Sequence, residues 1–375
     1  MNVYLGVPRG FCAGVVRAID IVELALKKYG PPIYVKHQIV HNPHVVKDLE
    51  SKGAITVENV DEIPRGSKVV FSAHGSPPED FKNAKEQGLQ VLDATCPLVI
   101  KVHNEAKKYN RDGRKIILVG HKGHQEVKGT TGQTNMEIVD DREEFVPPKW
   151  NNSIPVAVLT QTTLSVDDTE NSIRNIQNSF TDVLVRNDLC YATTNRQTAV
   201  KEISNHVEVF LVVGAQNSSN CNRLKEVAES NGVPAFLINS VEELEPKWLA
   251  GVVNVGITSG ASTPDSLVRG IIDFISPDNV IEMGGEEENI TFTLPKELRD
   301  ISKQATGQKK ENIMDVNPSE VFKTMEKSSV NLLIHGHTHR PDSHDIEINN
   351  KPAKRIVLGD WDKYGWYLWM DSSSC

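Results

Sequence analysis

The chain lacks the long apolar run that a membrane-spanning helix requires. Nowhere in its 375 residues does an uninterrupted hydrophobic stretch approach the ~18 residues needed to cross a bilayer. The first residues, MNVYLGVPRGFCAG, also lack the basic-then-apolar order of a secretory signal peptide. Together these absences predict a protein of the cytoplasm without a membrane span.

An excess of positive charge is absent too, since the formal net charge is −9, which argues against a nucleic-acid partner. The sequence has neither G-x-x-x-x-G-K-[ST] nor a good G-x-G-x-x-G, so nucleotide-binding loops of the common kinds are excluded. Five cysteines are too few for a disulfide framework in a reducing compartment. They are better candidates for metal or redox chemistry.

Three of these cysteines share one position in the sequence pattern. Cys12, Cys96 and Cys190 are separated by 84 and then 94 residues, and each ends a strand-like run and opens an amphipathic helical stretch. A thiol at a helix N-terminus faces the positive end of the helix dipole, which favours the thiolate that metals bind. The pattern predicts one metal centre shared by three similar lobes. Cys221 and Cys375 are interpreted as ordinary buried cysteines.

A β-rich run, a polar loop and a helical stretch recur along the chain, as in KIILVGHKGHQEV and VEVFLVVGAQNSSNCNRLKEVA. This alternation is typical of parallel α/β sheets. The three cysteine units divide the pattern into lobes at residues 1–95, 96–189 and 190–300. Because ~90 residues make a whole small domain, we expect three α/β lobes around a shared centre rather than a solenoid.

Polar side chains cluster in the loops that follow the strands, where open parallel sheets bind their ligands. They are His41, His74, His124, Thr162, Thr163, Ser218, Ser219, Asn220 and Ser262. Imidazoles, hydroxyls and amides beside helix N-termini are suited to phosphate oxygens, so the loops predict a small phosphorylated ligand. Any one of these residues is more simply a helix N-cap or a surface residue, and only their recurrence in all three lobes favours a ligand. No such support exists for His37, His44, His103, His121 and His206.

Glu126 lies two residues after His124 in the glycine-flanked segment GHKGHQEVKG. Both side chains would face one cavity if this segment were extended. A carboxyl group can act as a proton source where its surroundings raise its pKa. From the spacing alone, a solvated loop acid is the simpler interpretation.

A set of long motifs in fixed order resembles the 4-hydroxy-3-methylbut-2-enyl diphosphate reductase family, which completes the non-mevalonate pathway of isoprene biosynthesis. The motifs are PRGFCAGVVRAI, HNPHVV, FSAHG, DATCPLV, GHxGHQEVxGTxGQ, LTQTTLSVDDT, CYATTNRQ, VVGAQNSSNCNRL and GITSGASTPD. The resemblance extends from Met1 to about Leu298. It implies a trefoil of three α/β lobes around a central iron–sulfur cluster.

The resemblance also assigns residues to roles. Cys12, Cys96 and Cys190 match the three ligands of one 4Fe-4S cluster whose fourth iron is open. Glu126 matches the proton donor. The residues that match those holding the diphosphate and the hydroxyl end of the substrate are His41, His74, His124, Thr162, Ser218, Ser219, Asn220 and Ser262. Thr163 joins them as a substrate-binding candidate from its place in the same loop.

The activity that the resemblance implies is an oxidoreductase reaction, a reductive dehydroxylation. The resemblance implies that the allylic hydroxyl would bind the open iron and be protonated by Glu126 and a polar relay, and that water would leave as two electrons enter through the cluster. Isopentenyl and dimethylallyl diphosphates are the implied products. Because no nicotinamide or flavin motif is present, the implied electron donor is a ferredoxin or a flavodoxin.

Beyond this pattern the chain continues with a polar linker, residues 301–312, and a small α+β extension, residues 313–375. IMDVNPSEVFKTMEKSSV predicts a capped helix and NLLIHGHTHRP a strand before a histidine-rich loop. The extension resembles the C-terminal piece of UDP-2,3-diacylglucosamine diphosphatase, a metallophosphoesterase, in which His337 and His339 would match two metal ligands. The D-x-H, G-D and G-N-H elements that such a two-metal site needs do not precede it, so we expect a fragment without hydrolase activity.

Three function classes stay open at this point. The first is the iron–sulfur reductase, and the second is a hydratase or lyase that uses an open iron as a Lewis acid without redox change. The third is a zinc-binding structural protein with a phosphate-binding surface. Visible absorption would exclude the third class, and electron-dependent turnover would separate the first two.

Overall fold

The structure is a computed structural model that describes residues 1–285, 290–299, 325, 330, 332–335, 342–348 and 351–357. The chain divides into two units, Met1–Leu298 and Arg299–Cys375. Within the first unit, β-branched runs form strands and the amphipathic stretches between them form helices, as the alternating pattern predicts.

The chain enters through strand β1 (Asn2–Val7) and helix α1 (Ala13–Tyr29). A first parallel sheet follows, with strand order β3-β2-β4-β5. Its elements are β2 (Ile33–Lys36), α2 (Pro43–Ser51), β3 (Ala54–Val57), β4 (Lys68–Phe71), α3 (Pro78–Glu86) and β5 (Gln90–Asp93). Local signals set the helix starts: Asn42 caps α2 by accepting hydrogen bonds from the backbone N–H groups of His44 and Val45.

The second lobe repeats this arrangement, with strand order β7-β6-β8-β9, again all parallel. Its elements are α4 (Pro97–Arg111), β6 (Lys115–Val119), α5 (Gln125–Thr131), β7 (Glu137–Val139), β8 (Val156–Thr160), α6 (Val166–Ser179) and β9 (Val183–Val185). In both lobes the first and third strands along the chain form the centre of the sheet, so their loops lie side by side at its carboxyl edge.

The third lobe has a five-stranded parallel sheet with the order β11-β10-β12-β1-β13. Its own elements are α7 (Tyr191–Ser204), β10 (Val209–Val213), α8 (Ser219–Ser230), β11 (Ala235–Ile238), β12 (Asn254–Ser259), α9 (Asp265–Ile275) and β13 (Asn279–Gly284). The N-terminal strand β1 lies next to β12. It occupies the position that β5 has in the first sheet and β9 in the second.

This sheet includes the first strand of the chain, which the sequence pattern placed in the lobe 1–95. Residues of β1 belong by hydrogen bonding to the third lobe, so the lobes are linked in a cycle in which the first strand of the chain completes the last sheet. The physical reason is that backbone pairing joins β1 to β12 in register, from Asn2 opposite Asn254 to Leu5 opposite Ile257. The three-lobe α/β architecture itself is confirmed.

The helix that follows each site cysteine packs on the next sheet. Ile21 of α1 lies in the core against β2, Val102 of α4 lies against β6, and Val200 of α7 lies against β10. Each side chain is almost completely buried, a contribution of about 1.5–3 kcal/mol per residue. The cores therefore hold the three helix N-termini in equivalent positions around one centre.

The second unit contains a three-stranded sheet with order β14-β16-β15, built from β14 (Leu332–His335), β15 (Asp342–Ile348) and β16 (Lys351–Val357). β14 runs parallel to β16, and β15 runs antiparallel to it. The predicted strand in NLLIHGHTHRP is thus present. His337, His339 and Cys375, and nearly all of the predicted helix at 313–330, lie outside the described residues.

Candidate metal centre and phosphate site

The six loops after the central strands carry the predicted polar residues. His41 follows β2, His74 follows β4, His124 follows β6, Thr162 follows β8, Ser218 follows β10 and Ser262 follows β12. In a parallel sheet, the loops of adjacent central strands lead to opposite faces and leave a crevice between them. Three sheets that direct such crevices toward one centre create a shared cavity.

That cavity has a volume of about 120 Å³, several times what one water molecule needs. All thirteen residues predicted for the site line it: Cys12, His41, His74, Cys96, His124, Glu126, Thr162, Thr163, Cys190, Ser218, Ser219, Asn220 and Ser262. The same wall also includes apolar side chains such as Val15, Val40 and Val99. The cavity thus combines a sulfur side, an imidazole side and a hydroxyl side.

The three thiols occupy equivalent positions, because Cys12, Cys96 and Cys190 are the N-cap residues of α1, α4 and α7. Burial raises the pKa of Cys96 to about 11 and that of Cys190 to about 12, and the charges of the neighbouring site thiols add to both shifts. Desolvation therefore outweighs the helix N-termini, contrary to the sequence expectation of easily formed thiolates. A bound metal would replace these protons and compensate the buried negative charge.

The thiols lie close enough to share a ligand. A Cβ atom on Gly14 would lie 2.8 Å from the Sγ atom of Cys96 and 3.8 Å from that of Cys12, so only glycine leaves room between them. Cys190 faces the same cavity with its Sγ atom 3.1 Å from the hydroxyl of Thr193. Three converging sulfurs fit the donor set of an iron–sulfur cluster.

Cys221 lies elsewhere, as the sequence interpretation has it. It is fully buried in the core of the third lobe. Cβ atoms on Gly214 and Gly260 would lie 2.3 and 2.2 Å from its Sγ atom, so the thiol fills the space between two glycines. It does not line the cavity.

The imidazoles form a compact cluster on the first two lobes. The ring centroids of His41 and His74 are 4.0 Å apart, and that of His124 lies 5.5 Å from His41 and 6.2 Å from His74. Burial lowers the pKa of His41 to about 4 and that of His124 to about 3, and it lowers the pKa of His74 well below its usual value. The free protein thus presents three neutral rings. An anion that enters the cavity favours the protonated form of these rings, which is the stronger hydrogen-bond donor.

His124 has a defined tautomer. As N-cap of α5, its Nδ1 atom accepts a hydrogen bond of 3.2 Å from the backbone N–H of Glu126, so the neutral ring carries its proton on Nε2. An N–H donor of this kind suits a phosphate oxygen.

Glu126 is buried, with only 4% of its surface exposed. Its Oε1 atom accepts a 2.7 Å hydrogen bond from the backbone N–H of Thr162, and its Oε2 atom accepts one of 3.1 Å from the Thr162 hydroxyl. Burial raises the pKa of Glu126 to about 7, although both hydrogen bonds act in the opposite direction. The interpretation from spacing, a solvated loop acid, is wrong, because the loop after β8 covers this carboxyl group.

The hydroxyl side of the cavity lies at the N-terminus of α8. Ser218 caps this helix by accepting from the backbone N–H of Cys221, and Ser219 and Asn220 form its first turn. Both amide atoms of Asn220 are buried without a hydrogen-bond partner among the described residues. Unpartnered polar atoms beside a helix N-terminus are suited to bind the oxygens of an anion.

Sequence reasoning missed two residues that contact the lining of the site. His37 has its ring 5.7 Å from His41 and 5.9 Å from His74. Gln161 joins two lobes, because its Nε2 atom donates to the hydroxyls of Thr163 at 2.9 Å and Ser219 at 3.3 Å. Gln161 lies inside the motif LTQTTLSVDDT, and this motif could have identified it as a site residue.

The other four histidines that the sequence left without a role, His44, His103, His121 and His206, do not line this cavity. His44 is exposed, His206 stacks on Tyr4 at 5.7 Å, and His103 is buried behind Gly75. His121 contacts Arg223, with 2.6 Å between its Nε2 atom and the guanidinium.

Comparison with known proteins gives a consistent result. The model of the LytB protein family matches residues 3–276. The 4-hydroxy-3-methylbut-2-enyl diphosphate reductase of Azotobacter vinelandii is 49% identical over 313 residues, which cover 80% of this chain and 99% of that protein. A second relative, 4-hydroxy-3-methylbut-2-enyl diphosphate reductase 2 of Bradyrhizobium diazoefficiens, is 52% identical over 306 residues, with 80% and 99% covered.

A solved structure supports the same relationship at the level of the fold. The E-1-hydroxy-2-methyl-but-2-enyl-4-diphosphate reductase from Plasmodium falciparum is 37% identical, covers 81% of this chain and 98% of its own, and superimposes with a TM-score of 0.75. Among the described residues, no helix is both long and apolar enough to span a membrane. With the family match extending over most of the sequence, the chain belongs to the LytB protein family.

Proposed function

We propose that the protein is a 4-hydroxy-3-methylbut-2-enyl diphosphate reductase, which converts this substrate to isopentenyl and dimethylallyl diphosphates. Its relatives carry that name at about half sequence identity. The observation that carries the proposal is the single cavity that three N-cap thiols share with a buried carboxyl group of raised pKa.

The three thiols would hold an iron–sulfur cluster, the cofactor of the LytB family. A 4Fe-4S cluster with Cys12, Cys96 and Cys190 as its ligands would keep one iron without a protein ligand. When bound, such a cluster supplies one-electron transfer and a Lewis-acidic iron. Support comes from the position of Cys221, the remaining cysteine of the described residues, which is packed in a lobe core away from the cavity.

The diphosphate would bind between the imidazole cluster and the first turn of α8. Three residues offer ring N–H donors: His41, His74 and His124. Further uncharged hydrogen-bond donors are the hydroxyls of Ser218, Ser219 and Ser262 and the amide of Asn220. Thr162 and Thr163 would position the hydroxyl end beside Glu126. A largely neutral donor set in a buried cavity binds a strongly charged ligand through directed hydrogen bonds, which fixes its orientation.

Glu126 would supply the proton that converts the departing hydroxyl to water. The overall change breaks one carbon–oxygen bond, consumes two electrons and two protons, and forms one carbon–hydrogen bond and one water molecule. Thr162 holds the carboxyl group through both oxygens, so the proton is presented at a fixed position. The second proton goes to carbon, at either end of the allyl system, which accounts for two products.

The electrons would come from a ferredoxin or a flavodoxin. The sequence has no glycine-rich motif for a nicotinamide or a flavin, so an external one-electron carrier is the consistent choice.

An anaerobic assay of the purified protein tests the proposal. With 4-hydroxy-3-methylbut-2-enyl diphosphate and a reduced one-electron donor, we expect both isoprenoid diphosphates, and without the donor none. Turnover that is independent of electrons would instead identify the hydratase or lyase class.

For the C-terminal segment we propose a metallophosphoesterase-like fragment that contributes no hydrolase activity. The support is its sequence resemblance around His337 and His339 together with the missing upstream ligand elements.

A further inference from the structure

Each of the three site cysteines is followed, five or six residues later on its helix, by a basic residue. Each basic side chain reaches the segment that leads into the next site cysteine around the centre. Arg17 of α1 is the first. Its guanidinium donates to the carbonyl oxygen of Thr95 at 3.0 Å and to that of Asp93 at 3.4 Å, immediately before Cys96.

The other two lobes repeat this contact. Lys101 of α4 donates from Nζ to the Oδ1 atom of Asp188 at 3.0 Å, two residues before Cys190. Arg196 of α7 donates to the carbonyl oxygen of Gly10 at 3.0 Å, two residues before Cys12. We call Arg17, Lys101 and Arg196 the cation ring, since together they connect the three thiol-bearing segments in a closed cycle.

Two members of the cation ring are buried. Arg196 is 1% exposed and Arg17 is 8% exposed, whereas the side chain of Lys101 is 55% exposed. Arg17 directs all three of its hydrogen bonds to backbone carbonyls, the third being that of Thr293 at 2.8 Å. Burial of a guanidinium charge is costly unless negative charge lies nearby, and the negative charges that act on Arg17 are those of the Asp93 carboxylate and the Cys96 thiolate.

We propose that the cation ring fixes the threefold placement of the thiols and raises the reduction potential of the metal centre that they hold. The inference rests on the proposed function only in that such a centre is present. Three thiolates make the centre anionic, and each added electron increases that charge. Fixed cations around it therefore favour the reduced state, since net local charge is one of the determinants of cluster potential.

The decisive variants change charge and shape separately. Arg17→Gln and Arg196→Gln remove the charge and keep a hydrogen-bond donor, whereas Arg196→Lys keeps the charge. Arg174→Gln, on the exposed face of α6, is the matched control. Each protein is loaded with iron and sulfide anaerobically, its iron content is determined, and its potential is measured by spectroscopic redox titration.

We expect each glutamine variant to be reduced at least tenfold less favourably than the wild type, which corresponds to about 59 mV for one electron. Arg196→Lys should stay within about threefold of the wild type, and Arg174→Gln should be unchanged. Wild-type potentials in iron-loaded Arg17→Gln and Arg196→Gln would overturn the proposal.

A Lys101 variant provides a second test in case replacement of a buried arginine causes loss of iron. Lys101→Met should change the equilibrium less, by about threefold, because solvent screens this half-exposed charge. Its control is Lys201→Met, which removes a similar ion pair with Asp167 on the surface. Equal shifts in both variants would contradict the proposal. Reductase activity of the wild type, assayed separately, tests the proposed function independently of these potentials.

Discussion

Glu126 owes its protonation state to two opposing influences. Burial raises the pKa of the carboxyl group to about 7, and the two hydrogen bonds from Thr162 limit that rise because they favour the carboxylate. The protonated form is therefore well populated at neutral pH. We expect Glu126→Gln to bind the diphosphate substrate normally but to turn over 10²–10⁴-fold more slowly, as for a lost general acid. Anaerobic kinetics that separate kcat from KM measure this.

The pH dependence provides a second readout of the same residue. A group that must give a proton works below its pKa, so kcat of the wild type should fall as the pH rises through about 7. Glu126→Gln should lack this limb of the profile. Glu144→Gln, which changes an exposed carboxylate of the same lobe, should behave like the wild type. Near-normal turnover of Glu126→Gln would leave this residue only a structural role.

Asn220 carries a cost in the free protein that ligand binding would remove. It is 5% exposed, and its amide atoms lack partners among the described residues, although it lies at the N-terminus of α8. Replacing such a group by a similarly sized apolar one relieves about 1–3 kcal/mol of desolvation. We expect Asn220→Leu to unfold at a higher temperature without substrate and to raise KM tenfold or more. A lower unfolding temperature with unchanged KM would show that the amide has a structural partner instead.

At this scale, the sequence predicts residue types better than their surroundings. All thirteen predicted residues line the cavity, and the long motifs assign a role to twelve of them. Spacing alone made Glu126 a solvated acid because its partner Thr162 lies in the loop after another strand. Arg17 and Arg196 were missed for the same reason, since their acceptors Thr95 and Gly10 are distant in sequence.

The helix N-terminus is the element that repeats around the centre. Cys12, Cys96 and Cys190 occupy the N-cap positions of α1, α4 and α7. Serine is among the preferred N-cap residues, so a cysteine-to-serine change removes the sulfur while it preserves or improves the helix start. Effects of such changes on iron binding therefore report ligation and not helix stability.

We expect Cys12→Ser, Cys96→Ser and Cys190→Ser each to lose most of the bound iron and activity while far-ultraviolet circular dichroism stays unchanged. Cys221→Ser is the matched control, because this thiol lies in the core of the third lobe, and it should retain both iron and activity. Iron content by colorimetric assay measures the difference. Loss of iron in Cys221→Ser equal to that in Cys96→Ser would exclude the three-ligand arrangement.

The sequence predicts which segments form strands and helices, but it does not predict the pairing of strand β1. The strand-to-helix junction at each site cysteine is confirmed, since β-like and helical runs differ in period. Nothing in the run NVYLGV indicates that β1 pairs with β12 and not with β2, because a buried parallel strand is apolar whichever neighbour it has. Only the strand pairing of the third sheet therefore shows that β1 belongs to the third lobe.

The unit Met1–Leu298 is a closed cycle of three lobes, and that closure explains why one site can need all of them. Each lobe supplies two loops that line the cavity. It also contains the strand that leads to one site cysteine, namely β5, β9 or β1. A separate lobe would hold one thiol and part of a phosphate site. Reductase chemistry therefore depends on the unit Met1–Leu298 as a whole.

Removal of residues 305–375 should leave reductase activity within about twofold of the full chain. Every residue of the proposed site precedes this segment, and the relatives named as reductases match 80% of this chain across nearly their whole length. The cut retains Leu298, a fully buried residue in the core beside α1, so the first unit keeps its packing. Anaerobic kcat and KM of the two proteins, with iron content as the control, measure the effect.

The same pair of proteins tests the C-terminal segment itself. Two histidines supply too few ligands for two metal ions, which need six or more to activate water, so the full chain should not hydrolyse a UDP-diacylglucosamine substrate with manganese. The truncated protein is the baseline, because it lacks His337 and His339. Hydrolysis above that baseline that disappears in His337→Ala would mean that other residues complete a two-metal site, and the chain would then combine two enzymes.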